Sequence, residues 1–240
     1  MVEPIKQLMA KRLDPVTSLI LAAPVFLVYH LGVLVIHYRN GVDWVTNLTF
    51  ELVEWSKPAY VAVTIALVVA LALYGYLRDK DKALQRPLFT PVVLESAVWA
   101  VVMLFSVGWV TAKIQAELLN TSVWPPVPQD MGVTAKIVMA AGAGFHEELV
   151  FRMLLLGGGY RLLKMRIKSP AFALLLASLF SAVLFALAHH VGAVGDPFTI
   201  GGFAFRTMAG LFLGLLHVVR GFAVAVYTHT VYDILVFFFL

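Results

Sequence analysis

Cysteine is absent from the 240 residues, which excludes a disulfide framework, a thiol nucleophile and any thiolate metal site. Charge is scarce too. Only 13% of the residues are Asp, Glu, Lys or Arg, about half the usual share of a soluble domain, while 61% are apolar. With 18 basic and 14 acidic side chains the chain cannot coat a soluble globule of its size. It therefore reads as an integral membrane protein. Strand-like alternation is missing as well: the apolar stretches run to about 20 residues, the length of a membrane-crossing helix, whereas barrel strands alternate over roughly 10. The basic excess is no nucleic-acid footprint, because Lys and Arg stand beside apolar segments, where the positive-inside rule places them.

Seven stretches are predicted to span the bilayer: 16–37, 58–77, 91–112, 132–160, 170–190, 201–219 and 222–240. The first is too long, and lacks the small-residue cleavage site, to be a signal peptide. The stretch 41–56 carries Trp44, Phe50 and Trp55 among Asp43, Glu51 and Glu54 and reads as an interfacial amphipathic helix or a short eighth membrane segment. Pro125, Pro126 and Pro128 make 120–130 a loop. The fold class is an all-α polytopic bundle of about seven to eight helices. It is one structural unit, in which 1–131 supplies N-terminal helices and 132–240 the polar core. With the N-terminus in the cytoplasm, Lys6, Lys11, Arg12, Arg78, Lys80, Lys82, Arg86, Arg161, Lys164, Arg166, Lys168 and Arg220 all face inward. Arg39, Lys57, Lys113, Lys136 and Arg206 face outward. That bias predicts a cytoplasmic N-terminus.

Ionisable groups in hydrocarbon cost about 2.5–3.5 kcal/mol each on insertion scales. Here they concentrate in the last four spans: His146, Glu147, Glu148, Arg152, His189, His190, His217, His229 and Asp233. The first three spans contribute only Glu95 and His30, so the N-terminal half reads as a supporting shell. Glu148 and Arg152 are four apart and share a helix face, whereas Glu147 is turned by about 100°. One carboxylate pairs with the arginine and the other stays available for chemistry. His229 and Asp233 are also four apart, a spacing that lets the carboxylate orient the imidazole. Two carboxylates, two or three histidines and an arginine suffice to activate water and to stabilise a tetrahedral oxyanion. The plain alternatives are a structural Glu148–Arg152 pair, packing roles for His146, His190 and His217, and a Glu95 that snorkels. A proton relay or a transporter path uses the same residue types.

The run Glu147-Glu148-Leu149-Val150-Phe151-Arg152 resembles the EExxxR motif of the CAAX protease and bacteriocin-processing family, which includes the type II CAAX prenyl endopeptidases. Phe185-Ala186-Leu187-Ala188-His189 is similar to its FxxxH motif, and His229-Thr230-Val231-Tyr232-Asp233 to its HxxxN or HxxxD motif. The latter follows the small-residue run Gly210-Leu211-Phe212-Leu213-Gly214. The resemblance covers about 132–240. It implies an intramembrane glutamate-dependent peptidase without cofactor. Glu147 would be the base, assisted by His189; His229 and Asp233 would bind the oxyanion, and Arg152 would position a glutamate. Asp233 stands where the best-known members carry Asn, and an ionised Asp donates no hydrogen bond. The substrate expected is a membrane-anchored polypeptide, and a short chain with few soluble extensions points to a prokaryotic plasma membrane. A metal is not expected, since no HExxH or other complete ligand pattern is visible, although Glu147, His189 and His229 are possible zinc ligands. The alternative is a non-proteolytic member, such as a bacteriocin-immunity factor or a scaffold. Counted along straight helices at ~1.5 Å per residue, Glu147, His189 and His229 lie at different depths. They meet only if the helices tilt or turn back.

Overall fold

The computed structural model describes residues 13–36, 40, 43–78, 89–118, 131–191 and 195–239, and these contain helices and no strand. The chain runs through α1 (Pro15–Gly32), the short α2 (Trp44–Leu52), α3 (Lys57–Arg78) and α4 (Phe89–Leu118). A long composite helix follows: α5 (Val133–Gly142), a wider-wound segment π1 (Ala143–Leu156) and α6 (Gly157–Lys164). The bundle closes with α7 (Pro170–Ala188), α8 (Ile200–Arg220) and α9 (Phe222–Phe239). Six of these helices are individually long and apolar enough to cross a membrane. The remaining expected span, 132–160, falls on the composite helix, whose regular winding is broken at π1. The expected loop at 120–130 lies outside the described residues.

Local sequence sets the helix ends. Asp14 caps α1 by accepting from the Val16 and Thr17 amides, with Pro15 in the first turn, where its missing N–H costs nothing. Ser169 with Pro170 repeats the device on α7, and Thr199 caps α8 through the Gly202 amide. A single residue, Gly221, joins α8 to α9. It has φ +102, which a side chain would strain, and an added Cβ would lie 3.0 Å from the Leu13 carbonyl oxygen. α7, α8 and α9 are continuous helices, with a single residue between α8 and α9.

Helix α9 is the central post. Every residue from Phe222 to Thr230 is buried, as expected for a segment apolar on all sides. One apolar cluster gathers Tyr29 of α1, Tyr60 of α3, Val138 of α5, and Phe222 and Val226 of α9. A second joins Met103 of α4 to Leu213 of α8 and Tyr232 of α9. α3 is peripheral: its Ile65, Leu67, Val69 and Leu73 are exposed, an apolar face suited to lipid tails. The stretch 41–56 departs from a helix merely resting in the interface. α2 is only nine residues long, and Asp43, Thr46 and Phe50 are buried under α1 and α3, with Phe50 stacked on Tyr60 at 4.1 Å.

Glu95 is not part of the polar site. It forms a two-point ion pair with Arg220 (Nε–Oε1 2.5 Å, Nη2–Oε2 2.6 Å), tying α4 to the end of α8. π1 and α9 approach at Gly144, where an added Cβ would lie 2.9 Å from the Val226 carbonyl oxygen and against the Thr230 hydroxyl. Backbone cannot yield as a flexible side chain can. Gly144→Ala should therefore destabilise the protein by about 1–3 kcal/mol. Gly158→Ala, with nothing within 4 Å, should be neutral or stabilising by up to ~1 kcal/mol. Thermal unfolding of the two variants in the same detergent checks the contrast.

Candidate functional site

The site begins with the winding of π1. The Gly157 amide reaches back five residues to the Arg152 carbonyl, the pattern of a π-bulge rather than an α-helix. Such segments are frequent at functional sites because they redirect side chains. This was not expected from the sequence, where 132–160 reads as one apolar span. Within π1 the side chains of Glu148 and Arg152 are fully buried, and Arg152 Nε lies 3.2 Å from Glu148 Oε2. The guanidinium carbon sits 4.2 Å from the centre of the Phe185 ring of α7, a cation–π contact that covers the charge on its second face. The ring of Phe185 also meets the imidazoles of His189 and His229 edge-on. Its position one turn before His189 thus serves three polar groups.

Glu148 is the hub. Its Oε1 accepts from His229 Nδ1 at 2.9 Å while Oε2 faces Arg152. Asp233 was expected to orient His229, and here the structure assigns the task differently. Glu148 holds Nδ1, and Asp233 Oδ2 lies 3.7 Å from the other nitrogen, Nε2, beyond hydrogen-bond reach. Asp233 therefore flanks the Nε2 edge of the imidazole.

Glu147 takes the complementary position. Its Oε2 lies 3.6 Å from His189 Nε2 and 4.0 Å from His229 Nε2, and accepts no hydrogen bond among the described residues. His189 Nδ1 donates to the Phe185 carbonyl at 2.8 Å, which leaves Nε2 turned toward Glu147. His189 is the wettest member of the group, with 28% of its side chain exposed at the end of α7. The six residues Glu147, Glu148, Arg152, His189, His229 and Asp233 thus come together from π1, α7 and α9.

The N-terminal half is more than a shell. Asn40 Nδ2 donates to Glu147 Oε1 at 2.8 Å, across a separation of 107 residues. The Asn40 amide in turn donates to the Tyr29 hydroxyl at 3.0 Å, which donates to Asp43 Oδ2 at 2.7 Å. Neither spacing nor composition marks Asn40, since nothing local distinguishes one polar residue after a span from another. His190 donates to the Asp196 carbonyl at 3.0 Å and stacks edge-on with Phe198, away from Glu147. His146 is not a packing residue either: it points away from Glu147 and meets His30 and Asp43. These three are potential metal ligands that no sequence spacing marks. Among the described residues they are the one such group, which excludes Glu147, His189 and His229.

An all-helical polytopic membrane protein with a buried glutamate, histidine and arginine constellation is thereby defined. Residues 130–235, which include all six of those residues, match the family described as Type II CAAX prenyl endopeptidase Rce1-like. The family resemblance read from the sequence is thus borne out over this stretch. No curated protein and no solved structure matches the chain.

Removal of Arg152 leaves Glu148 charged, buried and deprived of its cation, at a cost of about 3–5 kcal/mol. Arg152→Ala should lower folded yield and the unfolding temperature as well as any activity. A variant as thermostable as the parent in detergent would contradict this structural role.

Proposed function

We propose that the protein is an intramembrane endopeptidase in which Glu147 activates water to hydrolyse a peptide bond of a membrane-anchored polypeptide. The observation that carries the reading is the pairing of Glu147 Oε2 with His189 Nε2 at 3.6 Å, while Glu148 is already committed to Arg152 and His229. That spacing is too long for a direct hydrogen bond but suits a water molecule held between two acceptors. A water donating one proton to Glu147 and the other to His189 turns its lone pair outward as a nucleophile. Asn40 fixes the other oxygen of Glu147, so the carboxylate keeps its aim.

Attack on the scissile carbonyl moves the water proton to Glu147 and the carbonyl electrons to oxygen. His229, with Nδ1 fixed by Glu148, presents Nε2 to that oxyanion, and as an imidazolium it donates to it. Glu147 then returns its proton to the departing amine nitrogen as the C–N bond breaks. Asp233, 3.7 Å from Nε2, supports the charge on His229. The cytoplasmic N-terminus and prokaryotic plasma membrane belong to the same reading, supported by the distribution of Lys and Arg and by the short loops.

Glu147→Gln should retain the fold and lose cleavage by roughly 10²–10⁴-fold, the usual contribution of a positioned base. The measurement is mass-spectrometric comparison of new C-termini and membrane-anchored fragments in cells carrying the parent or the variant. Fragments equally abundant with both would overturn the assignment. For Asp233, the Asn variant should retain part of the rate, because its amide can donate to the oxyanion although it no longer supports the charge on His229, whereas Asp233→Leu should lose nearly all of it. Cleavage of a fragment-derived peptide by the two variants decides, and an Asn variant as inactive as the Leu variant would refute the role.

A further inference from the structure

We propose that His30, Asp43 and His146 form a binding site for one divalent transition-metal ion, zinc by ligand type, separate from Glu147 and built to clamp the N-terminal helices onto π1. The three residues come from α1, the N-cap of α2 and π1, and all are at most 2% exposed. His146 Nε2 lies 3.2 Å from His30 Nε2 and 3.2 Å from Asp43 Oδ1, and the three donor atoms all fall within 4.8 Å of one another. Zinc bound tetrahedrally by imidazole at 2.0–2.1 Å separates its ligand atoms by ~3.3 Å. The spacing already matches two edges of that tetrahedron.

The direction of the donor atoms favours a cation at this point. His146 Nδ1 faces the Gly142 carbonyl at 3.2 Å, an acceptor only, so Nδ1 carries the proton and neutral His146 presents a lone pair at Nε2. Asp43 Oδ1 and His30 Nε2 converge on that same nitrogen. A divalent ion placed between them would be met by all three atoms together. Each ligand also has the outer partner that metal-binding side chains have: Gly142 for His146, the Tyr60 hydroxyl at 2.5 Å for His30 Nδ1, and the Tyr29 hydroxyl at 2.7 Å for Asp43 Oδ2. Two imidazoles and a carboxylate suit zinc or its cobalt substitute, and the three protein ligands leave a fourth position for water. The burial of all three argues for a structural role. Through Tyr29 and Asn40 the clamp reaches Glu147 Oε1, but the metal site stands whether or not the protein is a peptidase.

The test is metal uptake by protein purified in detergent and stripped with a chelator. Co²⁺ titrated into the parent should give one equivalent with the visible absorption of tetrahedral cobalt, and zinc-edge X-ray absorption of the Zn²⁺ form should count two imidazoles. Glu147→Gln should bind the same single equivalent. Asp43→Asn should abolish the cobalt bands, and Tyr29→Phe, which keeps the ring but removes the outer hydroxyl, should weaken binding by roughly 10–100-fold. If Asp43→Asn does not accumulate as folded protein, Tyr29→Phe and the imidazole count decide. No uptake by the parent, fewer than two imidazoles, or uptake lost in Glu147→Gln but unchanged in Tyr29→Phe would overturn the site.

Discussion

The ion pair between Glu148 and Arg152 is the constraint on which the rest of the structure depends. Neither side chain has any exposure, so each charge has given up its hydration and must recover it from the other. The Phe185 ring lies against the guanidinium, and His229 donates to Glu148. The pair therefore dictates where α7 and α9 stand relative to π1. It also fixes which nitrogen of His229 faces inward, and so which faces the open side of the site.

That commitment separates two adjacent carboxylates. Glu148 is consumed by structure, with both oxygens engaged; Glu147 is held by one oxygen only, from Asn40, and keeps the other directed at two imidazoles. Being adjacent on one helix, the two neighbours face different surfaces of π1. His146 faces α1 and α2, so three consecutive polar residues serve three directions: His146 toward His30 and Asp43, Glu147 toward His189 and His229, and Glu148 toward Arg152.

Much of this was legible in the residues. The membrane class and most spans follow from run length and scarcity of charge, and the i, i+4 relation of Glu148 and Arg152 does bring them together. The motifs selected the six site residues because their polarity is costly inside a bilayer and therefore conspicuous. What escaped was set by tertiary geometry. Asn40 meets Glu147 across 107 residues, and His30, Asp43 and His146 lie on three elements with no local spacing between them. Asp233 lost its orienting role to Glu148 because i, i+4 proximity is only permission to interact, and a carboxylate on another helix lies nearer the nitrogen. The π-winding has no signature in an apolar run, since hydropathy does not distinguish one helical pitch from another.

The most direct test is a double-mutant cycle of Glu148→Gln and Arg152→Met, followed by chemical unfolding in mixed micelles. Each single change strands one buried charge, whereas the double variant strands none. The account predicts that the double loss falls short of the summed single losses by about 1–3 kcal/mol, the coupling expected of groups in direct contact. Losses that simply add, to within ~0.5 kcal/mol, would contradict the central role given to the pair.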